Sequence, residues 1–583
     1  MTRHDRRQEW RARGRALVAG TVIVAGCAAG MIAQAPGAQR PDARPTASGL
    51  QIIGQRPLVS GMNGLVTSNE PAASAAGIRI LMRGGNAFDA AVATAAATSV
   101  VAPAMSTLGG NGFATIYIAS AHRVEAINFF GTAPNAAKPE LFTKEKLNEG
   151  ILASPTPSNL KGYQSLLEKY GTMKLADVLE PAIELADKGF LVTPEFARMI
   201  ERSQEVFRKY PSTARVYLPD GAPPKVGTLF VQKDYANTLK QVAARGADDF
   251  YHGDLARRIA KFYQEQGGIL TLKDLEDYQA KWVEPISLSY RGFTIYTQPP
   301  NSSAIAALEQ LNILDGFDVK TLGHNSAPYL HRFMEATRLS LADRNRWVAD
   351  TDAVKVPIAQ LLSKPYGARE RARINPDRAM PVVDPGELTS TPDGDTTHLT
   401  VVDKAGNMVA MTQTLGDSFG SKVVVGDTGL FFSNQMRHMH LEADSPSKIR
   451  GGIRPRSNQT PTIVVRDGTA VMALGTPGGD SIWQRVAQTL VNLIDFNMNM
   501  QDAVAAPRFG YGGPEETGLS IKPVWIVEDR VPAEVVDRLK AMGHEIRIVA
   551  SEGGAVNGIS RDPRTGLLIG GADPRGRSYA IGY

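Results

Sequence analysis

The juncture at Asp395 constrains this chain more than any other feature. From Asp384 to Asp395 the residues are polar and rich in Pro, Gly, Ser and Thr. Such a connection is exposed and can be cut without losing packed structure. It opens directly onto a strand pattern, Asp395-Thr396-Thr397-His398-Leu399-Thr400-Val401-Val402-Asp403. Further strand-like runs follow, broken by Lys404-Ala405-Gly406-Asn407 and by Asp467-Gly468. The spacing predicts two hairpins, His398–Asp403 with Met408–Leu415, and Pro461–Val465 with Val471–Leu474. A helix from about Ser481 to Ile494 is expected after Gly475-Thr476-Pro477-Gly478-Gly479. Together these elements suit a sheet with helices packed outside it.

The start of the first of these strands has chemical potential. A threonine hydroxyl is a poor nucleophile unless a base lies beside it. Scission before Thr396 would supply one, an α-amine with a pKa of about 8. If the hairpin is symmetric about Ala405, Thr396 stands opposite Thr414, with Cβ atoms about 5 Å apart. A slip of one residue would bring Leu415 there instead, and a threonine in a strand is also ordinary. Gly478-Gly479, between a strand and a helix, leaves backbone N–H groups free near a helix dipole. That is either an oxyanion site or simply a tight turn.

The 583-residue length exceeds one ordinary core, although interleaved layers would share one. A net charge of +5, without a long basic run beyond the N-terminus, gives nucleic-acid binding little support. Residues 1–27 resemble an export signal: arginines at 3, 6, 7, 11, 13 and 15, then an apolar run from Ala16 to Gly26 too short to span a bilayer comfortably. Val24-Ala25-Gly26-Cys27 resembles a bacterial lipoprotein processing box, which would lipidate Cys27 and tether the protein to a membrane. Plain secretion and a small uncleaved anchor are the alternatives. Residues 28–48 suit a flexible tether. Cys27 is the only cysteine, so disulfides and cysteine nucleophiles are excluded from the mature body.

Between tether and juncture, helices are expected from Glu70 to Val101, paired strands at Phe113–Ile118 and Val124–Phe129, and mostly helix from about Asn159 to Tyr290. A capped helix is expected after the Pro299–Ser303 loop. The nine histidines lack metal-ligand spacing, and His398 is expected to pack or hydrogen-bond structurally.

Several motifs together resemble the gamma-glutamyltransferase family of N-terminal-nucleophile hydrolases. They are Gly84-Gly85-Asn86-Ala87-Phe88-Asp89-Ala90, Leu108-Gly109-Gly110-Asn111-Gly112-Phe113, Asp395-Thr396-Thr397-His398, Asp403 through Asn407, Asn434-Gln435-Met436, Thr476-Pro477-Gly478-Gly479, and Asp502 through Phe509. The resemblance implies an α/β fold, a four-layer αββα sandwich, autocleavage between Asp395 and Thr396, and a large subunit (49–395) that stays with a small one (396–583). It also implies that Thr396 is nucleophile and base, Thr414 its hydroxyl partner, and Gly478 and Gly479 the oxyanion donors. Gln435 and Ser457 would hold the head group of a small-molecule amide or peptide, with no cofactor and no metal.

Four binding positions depart from the family pattern. The arginine that clamps the substrate α-carboxylate is Phe130, an asparagine is Gly416, the aspartate that pairs with the α-ammonium is His438, and a second serine is Asn458. Phenylalanine cannot replace a bidentate guanidinium, and histidine removes a countercharge. Altered acyl specificity is expected, with Arg437, Arg454 or Arg456 as replacement anion sites, or Phe130 lining an apolar pocket. The rivals are an amidase of cephalosporin-acylase or oxamate-amidohydrolase type, and a non-enzymatic surface lipoprotein that kept the fold.

Overall fold

The computed structural model describes residues 56–381, 395–512 and 524–583. The export signal, Cys27, the tether and most of the connection before Asp395 lie outside the described residues, as does the Asp395 side chain.

In chain order the strands are β1 (Val59–Gly61), β2 (Gly64–Ser68), β3 (Asn111–Ile118), β4 (Arg123–Phe129), β5 (Phe190–Leu191), β6 (Leu229–Phe230), β7 (Lys281–Val283), β8 (Ile286–Tyr290) and β9 (Phe293–Thr297). From Asp395 onward come β10 (Asp395–Asp403), β11 (Met408–Gly416), β12 (Thr462–Arg466), β13 (Thr469–Gly475), β14 (Phe509–Tyr511), β15 (Val524–Glu528), β16 (Glu545–Val549), β17 (Asn557–Arg561), β18 (Leu568–Ala572) and β19 (Tyr579–Gly582). Two seven-stranded sheets result, ordered β1-β18-β17-β13-β12-β9-β8 and β19-β2-β10-β11-β3-β4-β7.

Side-chain alternation along the central strands stacks these sheets. Along β10, Leu399 and Val401 point outward into a core built with helices α1 (Pro71–Met82) and α2 (Ala87–Val101). Val402 points the other way, into an apolar layer shared with Ile463 and Ala473 of the facing sheet. That second sheet buries its far side under the helices Ala304–Leu314, Ala327–Trp347 and Ile482–Ile494. The order is therefore helix, sheet, sheet, helix, the four-layer sandwich expected from the resemblance. With a period of two, Thr396, His398 and Thr400 share the face of Val402 and look into the space between the sheets.

Helix α2 begins where the sequence places it. Asn86 accepts from the Phe88 and Asp89 N–H groups, and Asp89 accepts in return from Asn86 N, a complete capping box. Its alanine-rich body allows close packing. One expectation needs correction: the stretch from Asn159 is mostly helical, but it ends in a strand, β8. Ile286, Leu288 and Tyr290 are buried while Ser287 and Ser289 are exposed, so the residues alternate with the period of a half-buried strand.

Outside the central layers, His331 Nδ1 and His544 Nε2 are 2.7 Å apart, and His331 Nε2 lies 2.7 Å from the Asn375 carbonyl oxygen. Glu335, one turn along, accepts from Met380 N at 2.7 Å and pairs with Arg338 at 3.4 Å. Among the described residues this is the group of imidazoles and carboxylates close enough to share a cation, and its members already have protein partners. Burial, with His331 and Arg338 nearby, pushes the His544 pKa down to about 3. An unfolded histidine titrates near 6.5, so unfolding takes up a proton below that pH. Stability is full above about pH 6.5 and falls as pH drops toward 3, by up to about 1.4 kcal/mol per pH unit. The melting temperature is expected to fall between pH 7 and pH 5, and His544→Gln to flatten that dependence. Equal slopes for the two proteins would exclude this histidine as the cause.

Candidate active site

The β10–β11 hairpin sets the site's first element. Residues pair from Val402↔Met408 up to Thr396↔Thr414, the register a turn centred on Ala405 requires. Gly406 has φ of +88°, which its lack of a side chain makes inexpensive. Beyond Thr396 the register jumps, since Asp395 pairs with Gly416. Leu415 is the bulged residue. Its N–H donates to Met105 O and its carbonyl accepts from Asn434 N, both at 2.8 Å, so its backbone leaves the ladder for distant chain. The Asp395–Thr396 peptide therefore lies at an irregularity in the sheet.

Thr396 Oγ1 donates to Thr414 Oγ1 at 3.1 Å, and Thr414 Oγ1 accepts from Gly416 N at 2.8 Å. Both threonines are buried. His398, on the same face, contacts Thr412 Oγ1 at 2.8 Å and Thr400 Oγ1 at 3.0 Å. Burial lowers its pKa to about 3, so it is neutral and occupied by structural hydrogen bonds. A β-carbon on Gly475, the last residue of β13, would collide with the His398 ring. This contact spaces the Thr396 strand from the strand that runs into Gly478-Gly479.

That second strand ends in a turn with φ of +110° at Gly478 and +62° at Gly479. Arg485, in the helix Ile482–Ile494, reaches back to bind the Gly478 carbonyl at 2.5 Å and the Pro477 carbonyl at 3.2 Å. Its Nε and Nη2 form a two-pronged pair with Glu552, both at 2.7 Å. A side chain at Gly478 would strike this guanidinium. In a trans peptide the N–H points opposite the C=O, so fixing the Gly478 carbonyl also fixes the Gly479 N–H.

Thr396, Thr414, Gly416, Gln435, Arg437, His438, Ser457, Asn458, Gln459, Gly479, Asp480 and Ile482 line one narrow cleft. Most of the sequence-selected positions thus converge. Gln435 is buried and its amide oxygen has no hydrogen-bond partner. Ser457 Oγ accepts from Gln459 N at 3.3 Å. Asn458 holds Asp480 at 2.5 Å and accepts from Arg344 at 3.3 Å, so its amide is already engaged on both ends. Gly416, with φ of +97°, leaves room that the Asn434 side chain fills. Burial and the surrounding guanidiniums push the His438 pKa well below the ordinary histidine range, leaving a neutral ring.

Phe130 is different. Its ring is fully buried, stacks on Phe113 at 5.3 Å between centroids, and is absent from the cleft lining. By strand alternation the ring shares the inter-sheet face of Asn128, Thr115 and Tyr117, packed on Phe113 beside the cleft rather than in its lining. Of the candidate replacement cations, Arg437 lines the cleft and pairs with Asp417. Arg454 pairs with Asp352 at 2.9 Å and does not line the cleft. Three contributors escaped sequence reasoning. Asp480 was one residue past the glycines, Arg485 lies within two helical turns of them, and Arg344 comes from a helix far upstream that carries no local signal.

Comparison with known proteins agrees with this architecture. The gamma-glutamyltranspeptidase family model matches residues 73–583. The chain is 38% identical over 487 residues to a glutathione hydrolase proenzyme of Pseudomonas sp. strain A14, covering 79% of this chain and 84% of the relative. It is 37% identical over 528 residues to the acylase ACY 1 proenzyme of Pseudomonas sp. strain SE83, covering 88% and 92%. The crystal structure of cephalosporin acylase from Bacillus halodurans superposes with a TM-score of 0.83 at 31% identity, over 93% of this chain and 99% of that one. A fold of stacked sheets, a threonine pair at a strand bulge and a family match over nearly all described residues lead to one assignment: this chain is a member of the gamma-glutamyltranspeptidase family of N-terminal-nucleophile hydrolases.

Proposed function

We propose that the chain is exported as a precursor, cuts itself between Asp395 and Thr396, and then hydrolyses acyl amides with Thr396 as an N-terminal nucleophile. In the first act the Thr396 hydroxyl attacks the Asp395 carbonyl, and the acyl group shifts from nitrogen to oxygen. Water cleaves the resulting ester, leaving a carboxylate on residue 395 and a free amine on Thr396. The products are a large subunit that ends at Asp395, its folded part starting after the tether at residue 49, and a small one, 396–583.

In the second act the Thr396 amine takes the proton from its own hydroxyl as Oγ1 attacks the substrate carbonyl. Thr414, held by Gly416 N–H, then donates to the oxygen that has lost its proton. N–H groups of the Gly478–Gly479 turn receive the oxyanion, and the leaving amine departs with the proton. Water completes turnover on the ester, or an acceptor amine takes the acyl group. The observation that carries this reading is the Thr396–Thr414 contact in a register with no slip.

Denaturing gels and N-terminal sequencing of purified protein test it: two fragments are expected, the smaller starting Thr-Thr-His-Leu. A single active full-length chain would overturn it. Replacing Thr414 by valine keeps the shape and removes the hydroxyl. Processing and kcat are expected to fall ten- to a hundredfold, the worth of about 1.5–3 kcal/mol, with partial recovery in Thr414→Ser.

A second reading concerns the acyl group. Phe130 and His438 supply neither a carboxylate clamp nor an ammonium countercharge, which favours acylase-type substrates over glutathione. For location, Val24-Ala25-Gly26-Cys27 supports a lipid anchor at Cys27 and a periplasmic or membrane-anchored protein. Cys27→Ser is expected to move the protein from the membrane fraction to the soluble one, and unchanged fractionation would exclude the anchor.

A further inference from the structure

Thr396 and the Gly478–Gly479 turn belong to different sheets. Strand β10 lies between β2 and β11, whereas β13, which leads into the turn, lies between β12 and β17. A nucleophile and an oxyanion site act together only while their spacing is held, and a misplacement of about 1 Å costs about 10²-fold in rate. The first residues of β10 are the weak point of that spacing. The ladder with β2 begins at Leu399↔Ser68, so residues 396–398 have no strand on that side.

Asn69, the residue after the end of β2, fills this gap with its side chain. Its amide oxygen accepts from His398 N at 2.7 Å and from Thr397 Oγ1 at 3.4 Å. Its amide nitrogen donates to Ala555 O at 2.9 Å and to Ser578 Oγ at 3.0 Å. The side chain is buried and engaged at both ends. Ala555 lies in the segment from Glu552 to Asn557, which backs the oxyanion turn. Glu552 holds Arg485, and Arg485 binds the Gly478 carbonyl. A β-carbon on Gly554 would strike the same guanidinium. At the other end of the segment, Asn557 pairs with Gly475, and its Nδ2 donates to His398 O at 3.4 Å. A continuous run of contacts thus leads from the backbone just after Thr396, through Asn69, to the carbonyl that aims the Gly479 N–H.

We propose that Asn69 is a positioning residue for the reaction: it stands in for the missing strand beside residues 397–398 and ties the Thr396 end of β10 to the segment behind the oxyanion turn. The proposal rests on Thr396 being the nucleophile and on the Gly478–Gly479 turn receiving the oxyanion. Without Asn69 the buried His398 N–H loses its acceptor and the end of β10 loses its hold on that flank. Asn69 is not part of the cleft lining, so its loss acts on the alignment of the reacting groups and not on the surface that binds substrate.

The test compares Asn69→Leu and Asn69→Asp with wild type on the faster of two substrates, glutaryl- and γ-glutamyl-p-nitroanilide. Rates are taken well below each melting temperature and expressed per mole of small subunit that starts at Thr396. Leucine keeps the branched shape and makes no hydrogen bond; aspartate keeps the acceptor for His398 N and loses both donors. For Asn69→Leu, kcat is expected to fall about ten- to a hundredfold while KM stays within about threefold. Asn69→Asp is expected to recover part of that loss and to remain at least about threefold below wild type. A purely structural role would lower the melting temperature and the yield of cut enzyme but leave kcat per cut chain unchanged, and that result overturns the proposal. So does a loss confined to KM, or an equal loss in the two variants. Should the leucine variant fail to fold, the aspartate variant decides, and kcat at the wild-type level overturns it. Failure of the underlying nucleophile reading looks different, since it appears as a wild-type chain that is never cut.

Discussion

Thr396→Ala is expected to accumulate as one uncut chain that folds normally and turns over no amide. The substitution removes the hydroxyl that attacks the Asp395 carbonyl, so no new N-terminus forms. It also removes the atom that would carry the acyl group. Activity against any substrate of the wild type is expected to drop by about 10⁴-fold or more, as when the nucleophile of other acyl-transfer enzymes is deleted. The fold is expected to survive, because β10 is held by β2 and β11 along most of its length. Circular dichroism and the melting curve check that point. Thr396→Ser keeps the hydroxyl and is expected to process slowly and retain measurable turnover. A cut and active alanine variant would remove Thr396 from the mechanism.

Breaking the Arg485–Glu552 pair is expected to have the second-largest effect. Both side chains are buried, and Glu552→Gln leaves a guanidinium without its counter-charge. Loss of one partner from such a pair costs about 3–5 kcal/mol. A catalytic effect is expected beyond that, because Arg485 also holds the Gly478 carbonyl. Once that carbonyl is free, the following peptide can rotate and the Gly479 N–H loses its aim. Misplacing one oxyanion donor lowers kcat by about 10²–10³-fold. Arg485→Met, measured well below its melting temperature, is therefore expected to lose kcat far more than it changes KM. An unchanged kcat in folded Arg485→Met would show that the pair serves stability alone.

The parts of the site visible in sequence are those set by short-range geometry. Thr396 faces Thr414 because a short turn around Gly406 leaves the hairpin little choice of register. The Gly478-Gly479 turn is visible because a strand must end and a helix begin within a few residues. The bulge at Leu415 is not visible, since Met105 and Asn434 cause it from elsewhere in the chain. The same holds for the cleft's charges. Asp417 and Arg437, twenty residues apart in sequence, become partners only when their loops fold together. Phe130 adds a further limit: a motif locates the position, while the packing of its ring, here against Phe113, is set by distant chain.

The strand order determines what the proposed cut would do. In the sheet β19-β2-β10-β11-β3-β4-β7, strands from the two sides of Asp395 intermix: β19, β10 and β11 follow the proposed scission point or begin at it, while β2, β3, β4 and β7 precede it. The other sheet is likewise stitched from both pieces, with β1, β8 and β9 flanking strands from the later segment. Scission at the proposed bond would break none of these strand pairings, much as trimming a thread after the cloth is woven leaves the weave intact. It also means that the later piece, made alone, would expose both flanks of β10 and β11 and have no partner to close them. In a continuous precursor the strands from both sides of Asp395 meet within one chain, so covalent continuity guides the assembly of both sheets.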